Sequence, residues 1–400
     1  MVVFKQGGIQ MSKYQFLDSY TLKNGAEVKN RIVMAPMTEM SSFENGIVTN
    51  DEIEYYRRRS GGVGMEITGC ANVSEIGKGF EGELSVANDS VLPQLSKLAQ
   101  SMKSNGTKAI LQIFNAGRMT TSEILRGKKP VSASAIRAER PGSEEPASMS
   151  EEEILETISD FGNATRRAIL SGFDGVEIHG ANTYLIQQFF SPNSNQRDDK
   201  WGGDLKSRMN FPLEVIKKVM NVVKESGKSK FIVGYRISPE EIETPGIQLS
   251  ETLEFVSKLS TSGIDYLHVS MGDVWRTSLN DKSDTEPINK QIKQALGDEI
   301  PLMVVGNVET PVDAEKAANS FEFVAMGREL IREPNWVEKV IAGDETSIKY
   351  KLSPTDLEDL AIPAPLWGFL TTVFRPIAGL STEKDPATSF KEAAAPWEKF

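Results

Sequence analysis

Eight short apolar runs, each followed by a stretch of helical periodicity, constrain the fold of this chain more than any other feature. They lie at 31–36 (RIVMAP), 64–69 (GMEITG), 109–114 (AILQIF), 175–179 (GVEIH), 231–237 (FIVGYRI), 265–270 (DYLHVS), 301–306 (PLMVVG) and 323–327 (FVAMG). Strands alternating with helices give βα units and a parallel sheet, and eight such units close into a barrel. The predicted fold is therefore α/β: a (β/α)8 or TIM barrel over 13–345, after a flexible extension at 1–12. A C-terminal tail at 346–400 is expected to pack on the barrel or on a partner subunit of a homo-oligomer.

The helices carry start and stop signals. Ser150 and Glu153 form a capping box, after which Ile154, Ile158, Phe161, Thr165 and Ile169 share one face as far as Gly172. Leu213, Ile216, Val219, Met220 and Val223 make a second stripe, with Pro212 in its first turn and Gly227 after its end. Two connections are long, 115–150 after the third strand and 180–206 after the fourth. In a barrel such loops stand at the carboxyl ends of the strands, where substrates bind.

Charge and composition restrict the partners. With 56 acidic against 45 basic residues the net charge is −11, so neither nucleic acid nor an anionic membrane finds a basic face. The opening residues lack the apolar run of a secretory signal. The apolar stretch 366–374 is bracketed by Pro365 and Pro376 and is too short to span a bilayer. One cysteine, Cys70, cannot form an internal disulfide, and two histidines leave few soft metal ligands, so no metal is expected and the compartment is read as the reducing cytoplasm.

The strand ends hold the chemistry. Ala35-Pro36-Met37-Thr38, Gly69, Gln112, His179, Arg236, Gly306-Asn307 and Gly327-Arg328 fall on one rim. Glycines ending the last two strands allow close backbone approach to a phosphate, and Arg328 adds a guanidinium. Arg236 is a permanent cation able to stabilise an anionic ring nitrogen. After the fourth strand, HGANTYL offers His179 and Asn182 as two donors for one oxygen and Tyr184 as an acid, a set suited to activating a carbonyl.

These residues, in NRIVMAPMT, LQIFNAGR, GVEIHGANTYLIQQFFSPNSNQRDD with WGG, GYRISP and VAMGRELIREP, resemble the Old Yellow Enzyme family of NADH:flavin oxidoreductases, from about Lys13 to about Gly343. The resemblance implies non-covalent FMN, reduction by NADH or NADPH, and hydride transfer through flavin N5 to the C=C bond of α,β-unsaturated carbonyl compounds. Quinones and nitro compounds are further small-molecule acceptors. It places Ala35, Pro36, Met37, Thr38 and Gly69 at the cofactor, with Thr38 beside the O4/N5 edge, Gln112 and Arg236 on the pyrimidine ring, and Gly306, Asn307, Gly327 and Arg328 on the phosphate. His179 and Asn182 would bind the substrate carbonyl in a pocket shared with Phe114, and Tyr184 would protonate the α-carbon. Asn115 and Thr183 depart from the usual His and Gly. A single cysteine excludes a relative with an iron–sulfur cluster.

Rival readings are a barrel lyase or isomerase acting on a phosphorylated metabolite. A Schiff-base lyase needs a strand lysine, which none of the predicted strands contains. A metal isomerase could use Glu66, Glu177 and His268, but leaves Tyr184, Gln112 and Arg236 idle. The G-x-G-x-x-G at 77–82 precedes no helical pattern and is not read as a dinucleotide site. Arg118, Arg126, Lys128, Lys129, Arg137 and Arg140, all in the 115–150 loop, could steer NADH or NADPH electrostatically.

Overall fold

Continuous apolar runs suit strands covered on both faces, by side chains inside a barrel and helices outside it. In the computed structural model, which describes residues 13–372, the eight runs form β1 (Ile32–Met34), β2 (Met65–Asn72), β3 (Lys108–Phe114), β4 (Gly175–Gly180), β5 (Ile232–Ile237), β6 (Tyr266–Val269), β7 (Leu302–Val305) and β8 (Phe323–Met326). Each strand pairs in parallel with the next, and β8 and β2 both pair with β1, which closes the barrel.

Outside lie α1 (Asn50–Arg59), α2 (Leu92–Met102), α3 (Glu151–Leu170), α4 (Asn210–Ser226), α5 (Leu249–Leu259), α6 (Ile288–Leu296), α7 (Pro311–Ala318) and α8 (Trp336–Ala342). The Ser150/Glu153 box closes with hydrogen bonds of 3.2 and 2.7 Å. Helix α4 begins two residues before Pro212, whose missing N–H costs nothing in a first turn, and ends at Gly227 with φ +70°.

Strand limits differ from the sequence expectation for identifiable reasons. β1 stops at Met34 because Pro36 has no N–H for the ladder, although Ala35 still donates to the Met326 carbonyl. β2 runs on to Asn72 through a bulge between Ile67 and Cys70. β3 begins at Lys108, so a barrel strand does contain a lysine, but at the amino end, away from the rim.

The two long loops are pegged together by Gln188, from the short helix Leu185–Phe190. Its Oε1 accepts from the Arg118 N–H at 3.0 Å and the Ser132 hydroxyl at 2.8 Å, and its Nε2 donates to Ala116 and Thr183 carbonyls. Beyond the barrel, α9 (Ala364–Thr372) buries Leu366, Trp367 and Leu370 in the same apolar cluster as the barrel helices. Residues 1–12 and Phe374 lie outside the described residues. Among the described residues no helix is long and apolar enough to cross a membrane.

Candidate active site

A cavity of about 560 Å³ opens at the carboxyl ends of the strands, a volume suited to a cofactor-sized ligand. Of the expected cofactor residues, Ala35, Pro36, Met37, Thr38, Arg236, Gly306, Asn307, Gly327 and Arg328 line it. Gly69 does not: it lines a smaller recess with Thr38 and Cys70, where its N–H donates to the Tyr56 hydroxyl at 2.6 Å. Gln112 also stands back from the cavity, 2% exposed.

One end of the cavity has the features of a phosphate cradle. Gly306 has φ +125°, and a Cβ there would fall 2.5 Å from the Asp273 nitrogen, so only glycine fits between the β6 and β7 loops. Asn307 follows with φ +53°, its amide donating to Asp273 at 3.0 Å. Arg328 has no hydrogen-bond or ion-pair partner among the described residues, leaving its guanidinium for a ligand. The wall carboxylates Glu309 and Glu329 are tied to Arg332 at 3.1 and 2.5 Å, and burial raises Glu329 to about 7.

Arg236 also lines the cavity, 7% exposed, with Nε buried and unpartnered. Burial lowers its pKa, yet a guanidinium stays charged in proteins, so it presents an uncompensated N–H to whatever fills the cavity. A ligand that carries both a ring with an ionisable nitrogen and a phosphate matches this donor set. These residues fit FMN.

His179 lies next to Arg236 in register, one strand over. Burial and the Arg236 charge hold its imidazole down at about 3, so it is neutral at pH 7. Its Nδ1 accepts the Ala181 N–H at 3.2 Å, which leaves the proton on Nε2 as a donor. Asn182 is exposed with φ +56°; its N–H donates to Ser238 and its Oδ1 accepts from the Ser270 hydroxyl, both at 2.9 Å. With the carbonyl oxygen engaged, Nδ2 is the free end. Tyr184 packs edge-on against Phe114 and His179, with ring centroids 4.8 and 5.1 Å away, and burial raises its phenol pKa so that it stays protonated.

Both departures from the family pattern are structural. Asn115 Oδ1 accepts the Gly117 N–H at 2.9 Å and bends the loop, and Thr183 adopts φ +67°, a conformation costly for a β-branched residue. Cys70 is buried, which raises its thiol pKa.

Several proposed groupings do not assemble. Glu66 neighbours Arg59, while Glu177 bonds His268 at 2.9 Å in the barrel interior. Among the described residues no three His, Cys, Asp or Glu side chains could hold a metal. Of the six basic loop residues, Arg118, Arg137 and Arg140 donate to backbone carbonyls and Arg126 pairs with Glu44 and Glu81. A bond to a neutral carbonyl leaves a guanidinium charged, so among the described residues only Arg126, and Lys128 through Glu75 at 3.6 Å, have their charge offset by a carboxylate.

Sequence reasoning passed over Ser238 and Ser270, which orient Asn182, and Leu366, Phe369 and Leu370 of α9, which line the cavity. It also gave Glu177 no part in a flavin site, although Glu177 and His179 are two apart in one strand and share a face.

Comparison with known proteins supplies the family. Residues 18–347 match the model of the NADH:flavin oxidoreductase / NADH oxidase family. The probable NADH-dependent flavin oxidoreductase YqiG of Bacillus subtilis is 42% identical over 89% of this chain and 95% of its own length. The NADH:fumarate oxidoreductase of Klebsiella pneumoniae is 43% identical over 90% of this chain, which spans only 39% of that relative. The old yellow enzyme homologue of Zymomonas mobilis shares the fold, with a TM-score of 0.74 at 24% identity, over 86% of this chain and 99% of the other. The chain thus belongs to the NADH:flavin oxidoreductase / NADH oxidase family.

Proposed function

We propose that this chain holds FMN non-covalently, takes reducing equivalents from NADH or NADPH, and reduces the C=C bond of α,β-unsaturated carbonyl compounds. The observation that carries the reading is a neutral His179 with its proton on Nε2, packed against the protonated Tyr184 and in register with Arg236, which lines the cavity with its Nε buried and unpartnered; the Asn182 amide Nδ2, three residues on, is free. FMN, when bound, supplies two-electron hydride chemistry. Arg236 and Gln112 would hold its pyrimidine edge, Thr38 the O4/N5 edge, and Gly306, Asn307, Gly327 and Arg328 its phosphate.

The chain's own part in the reaction follows from its donors. His179 Nε2 and Asn182 Nδ2 both donate to the substrate carbonyl oxygen, drawing charge from the conjugated β-carbon and stabilising the enolate-like charge that develops on oxygen. Tyr184 gives its proton to the α-carbon. The Schiff-base alternative would need a lysine at the rim, and Lys108 is at the opposite end of its strand.

Substrate size is a separate matter. The name of the Klebsiella relative contains fumarate, an unsaturated dicarboxylate, but more than half of that protein has no counterpart here. A second reading is therefore that this portion accepts hydride from NADH and passes electrons onward. One experiment tests both. The purified protein should be yellow and release FMN on denaturation, be bleached anaerobically by NADH or NADPH, and regain its colour when mixed with an enone. Colourless protein that takes up no added FMN refutes the reading. Recovery with quinones but with neither enones nor fumarate favours the electron-transfer role.

A further inference from the structure

Beneath the cavity, Glu177 is completely buried and receives three hydrogen bonds from two other strands, β3 and β6. Gln112 Nε2 donates to Oε1 at 2.7 Å, and the Tyr266 hydroxyl and His268 Nδ1 reach Oε2 at 3.0 and 2.9 Å. The arrangement depends on Gly234, which separates Glu177 from Tyr266 in register: a Cβ there would sit 2.0 Å from the Tyr266 ring, so glycine alone lets the phenol cross to β4. Burial works to raise the Glu177 pKa, but His268, Arg236 and Gln112 outweigh it and hold the carboxyl at about 2. Burial and the Arg236 charge lower the His268 pKa while Glu177 opposes them, and its Nδ1 lies 2.9 Å from Glu177 Oε2.

A carboxylate only accepts hydrogen bonds. Gln112 must therefore give Glu177 its NH2, and its Oε1, which has no partner among the described residues, is the end left for a ligand. The same carboxylate is also the main counter-charge of Arg236. We propose that Glu177 is a positioning residue for the flavin: it fixes the Gln112 amide so that a carbonyl acceptor is offered to the ring N–H, and it offsets the Arg236 charge behind the pyrimidine. This rests on the FMN reading above. A merely structural Glu177 would affect stability and leave the potential of the bound flavin unchanged.

Two variants of the full-length holoprotein separate these roles. Glu177→Gln keeps the shape and removes the charge, so the reduced, more anionic flavin should be favoured at least tenfold, a positive shift of about 30 mV or more for a two-electron couple. Glu177→Asp keeps the charge but is too short to hold all three donors. It should leave the potential within twofold of wild type in these terms while weakening FMN binding about tenfold, as read by flavin fluorescence. An unshifted or more negative potential in Glu177→Gln overturns the charge role, and an unchanged FMN Kd in Glu177→Asp overturns the positioning role. If Glu177→Gln does not fold, the Glu177→Asp result decides. Wild-type protein that binds no FMN overturns the cofactor reading itself, whereas wild type that binds it beside two unaffected variants overturns only this inference.

Discussion

Replacing Tyr184 by Phe tests the proposed chemistry with little disturbance to the fold. The ring contacts of 4.8 Å to Phe114 and 5.1 Å to His179 are made by carbon atoms that Phe retains. The hydroxyl has no hydrogen-bond partner among the described residues, so its removal should change folding stability by less than about 1 kcal/mol. Loss of a positioned acid typically costs about 10²–10⁴ in rate, or about 2.7–5.4 kcal/mol of barrier. The cost should fall on one half of the reaction. Bleaching of bound flavin by NADH needs no acid and should stay within a few-fold, while reoxidation by an enone, followed anaerobically by stopped flow, should slow by the full factor. Quinones take electrons at oxygen and draw protons from solvent, so their turnover should be spared. Equal losses with enone and quinone would show that Tyr184 acts through structure, and the acid would have to be another group.

Arg328→Ala should weaken FMN binding about 10- to 150-fold, the equivalent of a charge-assisted phosphate contact of about 1.5–3 kcal/mol; an unchanged Kd would remove Arg328 from the cradle. Thr183→Gly should stabilise the protein by about 1 kcal/mol in urea unfolding, because the left-handed conformation costs Thr about 1–2 kcal/mol and glycine gives back part of that as entropy; a less stable variant refutes the claim of strain. The acid limb of a stability profile should reflect His179 and Glu177. An unfolded His binds a proton near pH 6.5 and folded His179 only near about 3, so the folded state loses up to about 5 kcal/mol as pH falls between those values. Glu177, depressed to about 2, adds stability that is complete above about pH 4.5 and lost as pH falls toward 2. His179→Gln should flatten the higher part of that limb, and an unchanged profile would mean that the imidazole is not held neutral.

How much of this was legible in the sequence depends on whether an interaction is local. Parallel strands buried on both faces read as unbroken apolar runs, so all eight were visible, as was the α3 cap, whose partners are three residues apart. The site residue types were visible for a related reason: polar groups ending apolar runs sit on one rim once the barrel closes. Ser238 and Ser270 were not visible, because they come from the ends of two other strands and meet Asn182 only through barrel register and a left-handed turn. The cavity wall from α9 was equally hidden, since nothing in Leu366 or Phe369 says which surface a chain beyond the barrel returns to.

Protonation states belong with what sequence cannot supply. Type and spacing make His179 a candidate donor, but a free imidazole near neutrality could as well be charged or carry its proton on Nδ1. Burial, the Arg236 charge and the Ala181 N–H together remove those options. The same holds for Gln112, whose two amide ends are nearly isosteric until Glu177 claims one of them. In this barrel the rim sequence therefore specifies which donors and acceptors are available, and the layer beneath it specifies which way each one points.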